Sequence, residues 1–187
     1  MPHLRAFLSL RLEGRMPRLD PFKYDGRIPK GPKLKRVVED ALRIGNLPAD
    51  AVIALTDVYT GAQDFRDAAD AKRKMREWVG PNDQFFPHAA QYDFEAWLLP
   101  FWDAIQNLAG HNKLAPSGPP EAVNHQHPPS ARIREIFRIG SRGKDYVKPR
   151  DAARLLQGKD LAVAAAACPE LKALINSILE LSGGECI

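Results

Sequence analysis

Apolar residues recur along this chain in two rhythms, and the alternation between the rhythms predicts the fold. In residues 2–12, Leu4, Phe7, Leu8 and Leu12 fall on one side of a helix, with Pro2 suited to its first turn. A strand over 7–12 is the rival reading. Phe22-Lys23-Tyr24 reads as a short strand before the turn-rich residues 25–32. Leu34, Val37, Val38, Ala41 and Leu42 then repeat on one helical face, and Gly45-Asn46 stops it. Residues 51–56 form a nearly continuous apolar run of strand length, which suits a central strand covered on both faces. Asp57 stands at its carboxyl end, the edge at which open α/β sheets bind ligands. Residues 67–79 predict a helix with Ala68, Ala71, Met75 and Val79 inward and Lys72, Arg73, Lys74 and Arg76 outward. After the turn Gly80-Pro81-Asn82, residues 85–90 predict a further strand.

That strand delivers the chain to Gln91-Tyr92-Asp93-Phe94-Glu95-Ala96-Trp97-Leu98-Leu99-Pro100, where two carboxylates enter the most apolar stretch of the sequence. At α-helical spacing Phe94, Trp97, Leu98, Phe101 and Ile105 share one buried face. Glu95, with Leu98 and Leu99 as its neighbours, is half buried. A desolvated carboxylate must be hydrogen-bonded, paired, kept neutral or holding a cation. In the plain structural alternative Asp93 caps the helix and Glu95 accepts backbone or Arg hydrogen bonds. The succession of helices and strands up to this point predicts an α/β fold with a short, mostly parallel sheet flanked by helices.

Beyond residue 109 proline-rich loops intervene. Ser130 reads as the cap of a helix through Phe137, and short helices are expected over 150–156 and 161–168. A last helix begins at Pro169-Glu170, with Leu171, Leu174, Ile175, Ile178 and Leu179 on one face. The expected organisation is a single domain over 1–187, an α/β core over 1–109 followed by a loop-rich, then helical, extension over 110–187.

Composition narrows the class. The 187 residues are long enough for one well-filled core, and 44% hydrophobic with 27% charged residues is ordinary for a globular domain. No run approaches the ~20 apolar residues of a membrane span, and the start does not resemble a secretory signal, so a cytoplasmic location is expected. Cys168 and Cys186 suggest reduced thiols. The net charge of +4 permits a polyanionic partner without requiring one.

Three constellations could carry chemistry. Asp57 at a strand end, with Asp93 and Glu95, could share one hard cation, because neighbouring parallel strand ends lie about 5 Å apart. Equally, Asp57 and Asp93 could each cap a following helix. Arg132, Arg134, Arg138, Arg142, Lys144, Lys148 and Arg150, with Tyr146 among them, could grip phosphates or form a solvated face. Lys148, before Pro149, sits close to a helix end. His125 and His127, with Asn124, lack a third ligand at zinc-motif spacing. Glycine-rich phosphate loops, G-x-S-x-G and H-E-x-x-H are absent, and no nucleotide or organic cofactor is expected.

Taken together, Ile53-Ala54-Leu55-Thr56-Asp57-Val58-Tyr59, the segment from Phe85 through Glu95-Ala96-Trp97-Leu98-Leu99, Pro129-Ser130-Ala131-Arg132-Ile133, Tyr146-Val147-Lys148 and Cys168-Pro169 resemble a family of Toprim-like bacterial proteins, domain-of-unknown-function 4276. The resemblance runs from about residue 22 to 179. It implies a magnesium- or manganese-dependent nuclease-like fold, met in bacterial defence systems beside an ATPase partner. Asp57, Asp93 and Glu95 would hold the metal, Glu95, Asp57 and Lys148 would be catalytic, and Arg132 and Lys148 would bind phosphate. Two departures stand out. Toprim-like chains open with a strand ending in a Glu-Gly-x-Thr-Glu-type motif, whereas residues 1–8 here resemble the helix that follows it, and Glu13-Gly14 imitates the motif in the wrong surroundings. Tyr59 stands where the metal-binding pattern has a second aspartate. The missing glutamate implies weak metal binding and a degenerate site. The alternative function is a non-catalytic subunit that binds a partner protein or nucleic acid through residues 132–150. A missing strand would expose sheet backbone and favour homo-oligomers.

Overall fold

The computed structural model describes residues 2–14, 16–24, 28–44, 48–58, 64–122, 127–141, 143 and 145–187, which divide into two compact units, Pro17–Gln91 and Met1–Met16 with Tyr92–Ile187. The chain is α/β, with eight α-helices and a two-stranded parallel sheet among the described residues. None of the described helices is long and apolar enough to cross a membrane.

The unit Pro17–Gln91 contains α2 (Pro32–Arg43), β1 (Val52–Asp57), α3 (Ala68–Val79) and β2 (Phe85–Ala90); α1 (Pro2–Ser9) belongs to the other unit. The strands pair in parallel with Val52 opposite Phe85 and Asp57 opposite Ala90. Gln84 starts the register: its carbonyl accepts from Val52 N at 2.8 Å, and its side chain donates to the Asp50 carbonyl at 2.9 Å. The apolar stripe of α3 packs where the 3.6-residue spacing puts it, with Met75 and Val79 against Leu34, Val38, Ala54 and Phe85, and Ala68 and Ala71 beside Phe65 and Ala89. Asp67 caps α3 by accepting from Asp70 N at 2.7 Å, and Gln91 Oε1 accepts from Ala68 N at 2.8 Å, tying the end of β2 to the same helix start. Asp70 itself is buried. The Arg66 backbone N–H, then the Arg73 guanidinium and Lys74, hold its carboxyl far below the usual range.

Two expectations fail in this unit. Residues 22–24 form no strand: Phe22 is 77% exposed, so its aromatic alternation finds no sheet to pack on. β1 is not covered on both faces, because Leu55 is 45% exposed.

The unit formed by Met1–Met16 and Tyr92–Ile187 is helical. After Tyr92, whose φ of 66° is left-handed, a 3₁₀ helix runs over Phe94–Phe101. It is followed by α4 (Trp102–Ala109), a 3₁₀ turn (Pro120–Ala122), α5 (Pro129–Ile139), α6 (Lys148–Leu155), α7 (Leu161–Ala167) and α8 (Pro169–Leu181). Pro100 lies inside the 3₁₀ segment; it lacks an N–H and disfavours α geometry at Leu99. Leu98, Leu99, Trp102 and Ile105 pack with Ile133, Ile136 and Phe137 of α5 and Ala152 and Leu155 of α6. Glu121 receives Trp97 Nε1 at 2.9 Å and the Glu170 backbone N–H at 3.1 Å, capping α8; burial pushes its carboxyl up. Cys168 lies buried with Sγ 3.8 Å from the Ala96 carbonyl, and burial pushes its thiol up to about 12. Cys186 is exposed.

Two predictions follow from this packing. A Cβ on Gly140 would overlap the Ala109 carbonyl, so Gly140→Ala should lower the unfolding free energy by about 2 kcal/mol or more in urea titration. In β2, burial and then the charges of Lys72 and Arg76 hold buried His88 down to about 4 from 6.5. The unfolded chain then takes up the proton first, so the stabilisation is complete above about pH 6.5 and is lost as pH falls toward 4. Between pH 7 and 5 the wild type should lose about 2 kcal/mol more stability than His88→Gln.

Candidate functional site around Glu95 and Lys148

The site grows from the way the apolar stretch folds. With three residues per turn, and with α5, α6 and α7 packed against it, the 3₁₀ segment presents nearly every side chain to protein. Glu95 is therefore 1% exposed, fully buried where α-helical spacing predicted half burial. Its two oxygens are engaged differently. Oε1 accepts from the Tyr146 hydroxyl at 3.3 Å, and Lys148 Nζ stands 3.0 Å from Oε2 in an ion pair. Burial, and then the Glu95 charge, raises the Tyr146 phenol well above its ordinary value, so it stays protonated and donates. Tyr146 is seated edge-on against Phe137, with ring centroids 5.4 Å apart.

Lys148 opens α6 as its first residue, with Pro149 next. A cation at the positive end of a helix is unfavourable on its own, so Glu95 is what holds it there. Asp151 fixes the backbone beneath it. Wholly buried, its carboxylate accepts from Val147 N at 2.7 Å and from Arg150 Nε at 2.8 Å, with Arg154 at 3.8 Å. The Arg150 guanidinium foremost, with the Val147 N–H, keeps the Asp151 carboxyl below its usual range. Lys148 is 46% exposed, so this arrangement brings one fixed positive charge to solvent above a buried negative one.

Asp93 does not cap its own helix by its side chain. Its Oδ2 accepts from Ser130 N at 3.2 Å and so caps α5, thirty-seven residues further on. Ser130 was expected in that capping role; it lies instead inside the first turn, buried, with Pro128 at the cap position. Arg132, one turn into α5, is partly buried, and its Nε is buried with no hydrogen-bond partner among the described residues.

The sequence-level candidates thus separate. Glu95, Lys148 and Tyr146 come together, and Asp93 is joined to the start of α5 that also carries Arg132. Asp57 belongs to the other unit, half-buried at the end of β1. Arg150 is spent on Asp151, while Arg134 and Arg138 are exposed on α5. His127 is exposed; Tyr59, Asn124, His125, Arg142 and Lys144 lie outside the described residues. Asp151 was missed, although an acid in the first turn of a helix is where the dipole and unpaired N–H groups favour negative charge.

Whether these donors suit Mg²⁺ or Mn²⁺ is decided by their partners. A hard divalent ion takes six or more oxygens, and an ammonium already on a carboxylate competes with it for that ligand. Here Glu95 gives Oε1 to Tyr146 and has Lys148 beside Oε2, an oxygen that accepts no hydrogen bond from the described residues, and Asp93 caps a helix. Among the described residues no group of three or more His, Cys, Asp or Glu side chains is placed to hold a metal ion. The donor set around Glu95 does not fit a divalent ion while Lys148 occupies it.

The ion pair makes a quantitative prediction. Lys148→Met leaves a buried carboxylate unpaired and should cost about 2–3 kcal/mol in urea unfolding, below the range of fully buried pairs because Lys148 is half exposed. Adding Glu95→Gln should recover most of that loss, and a double variant no more stable than Lys148→Met would show that the pairing is not what matters.

Comparison with known proteins agrees with the resemblance in the sequence. No curated protein and no solved structure gives a match. A family profile described as Domain of unknown function (DUF4276) matches residues 5–179, nearly the whole chain, and the protein belongs to that family.

Proposed function

We propose that the protein binds nucleic acid through the phosphodiester backbone, with Lys148 and Arg132 as its phosphate contacts, and that it acts there as a nuclease-like member of its family. The observation that carries the binding reading is the geometry at Lys148: a half-exposed side chain whose ammonium is paired with a fully buried carboxylate. Holding a long, flexible side chain in one place removes beforehand the ordering cost of gripping a phosphate. Arg132 supports the same reading, since its buried Nε donor is engaged by no described residue and buried donors are rarely left so.

Hydrolysis is the part that rests on the Toprim-like resemblance. The resemblance implies Asp57, Asp93 and Glu95 as metal ligands, Glu95, Asp57 and Lys148 as catalytic groups and Mg²⁺ or Mn²⁺ as the ion, and in this reading the ion reaches Glu95 only once Lys148 has left it. A role in bacterial defence, an ATPase partner and self-association belong to the same proposal. One observation favours a second reading, a non-catalytic subunit that only binds: Glu95 is committed to Lys148.

Incubating plasmid and single-stranded DNA with Mn²⁺, for the wild type and Glu95→Gln, separates the two. Cleavage by the wild type that Glu95→Gln lacks is the nuclease outcome, and equal products from both, or none, would sink it. Binding is read separately from the salt dependence of affinity for single-stranded DNA. Arg132→Gln and Lys148→Met should each lower the slope of log K against log salt by roughly 0.7. Unchanged slopes in both variants would remove the phosphate role.

A further inference from the structure

We propose that Lys148 is the resident counter-ion of Glu95 and that its ammonium keeps divalent cations off that carboxylate. The inference does not depend on whether the protein binds nucleic acid. Three independent observations carry it.

First, the ammonium is already at ligand distance: Nζ lies 3.0 Å from Oε2, and the other oxygen is held by the Tyr146 hydroxyl at 3.3 Å. Oε2 accepts no hydrogen bond from the described residues, so the ammonium holds it by charge and proximity alone, and a second cation at that oxygen would have to displace Lys148. Second, the Lys148 ammonium also lies over the Phe94 ring, 5.4 Å from its centroid. An aromatic face suits an ammonium but offers no oxygen to a hydrated Mg²⁺ or Mn²⁺, which keeps several of its waters. Third, the main chain that carries Lys148 is anchored. Its backbone begins α6 between Val147, tied to Asp151 at 2.7 Å, and Pro149, whose ring fixes φ. Carboxylate, aromatic face and anchored backbone together make an ammonium pocket.

The consequence is an exclusive choice at Glu95. While Lys148 is in place the carboxylate is neutralised by one positive charge, and a divalent ion gains little Coulomb energy by approaching a neutral pair. Removing the ammonium while leaving the carboxylate converts the same pocket into an acidic one.

The experiment measures Mn²⁺ binding to the full chain by the loss of the free-ion electron paramagnetic resonance signal. Four proteins are compared: wild type, Lys148→Met, Lys148→Met with Glu95→Gln, and Phe94→Leu. Lys148→Met should bind one Mn²⁺ at least tenfold tighter than the wild type, and the added Glu95→Gln should abolish the gain. Phe94→Leu keeps the carboxylate paired and so preserves the fold, but loosens the ammonium; it should bind Mn²⁺ about threefold tighter than the wild type. This second variant decides the matter if Lys148→Met does not fold. A wild type that binds Mn²⁺ as tightly as the variants would overturn the proposal, as would a gain in Lys148→Met that survives Glu95→Gln.

Discussion

A carboxylate that is 1% exposed must be answered from within the protein, and the unit that begins at Tyr92 is arranged to answer Glu95. The answer comes from a segment distant in sequence, since Tyr146 lies fifty-one residues further along the chain. That segment is itself controlled by a second buried acid. Asp151 fixes the backbone at Val147, and only then can the next residue place its ammonium on Glu95. The two acids divide the task, one holding main chain and the other holding a head group.

Other acids in the chain serve helix starts. Asp67 caps α3, Asp160 caps α7 by accepting from Ala162 N at 2.9 Å, and Glu121 caps α8. Asp93 does the same for α5 from outside the helix. Each places negative charge where unpaired backbone N–H groups and the helix dipole favour it. Glu95 stands apart from this set because its partners are side chains.

What could be read from the sequence follows from the range of the forces involved. β2 and the inward face of α3 were legible because apolar periodicity is a local signal: Ala71 and Met75 are buried as their spacing required. Phe22 and Tyr24 misled because a strand also needs a neighbour, which residue type cannot report. Within the site, Glu95 and Lys148 were each singled out by residue type and position, but their pairing was not visible, since nothing local connects residues so far apart. The plain structural alternative for Asp93, a cap on its own helix, holds in kind but on another helix. The burial of Glu95 was underestimated because Pro100 was not weighed as a determinant of helix type.

That helix type has a consequence of length. A 3₁₀ helix rises about 2.0 Å per residue against about 1.5 Å in an α-helix. The eight residues of Phe94–Phe101 therefore reach roughly 4 Å further than the same residues would if wound as an α-helix. Glu95 lies near one end of this stretched rod and Trp102, anchored by its indole to the Lys113 carbonyl at 2.8 Å, just beyond the other. Pro100 thus acts as a spacer: by disfavouring the wider, shorter α winding it sets how far the carboxylate stands from the anchored end. A rewound segment would draw the acid back by about the length of a salt bridge.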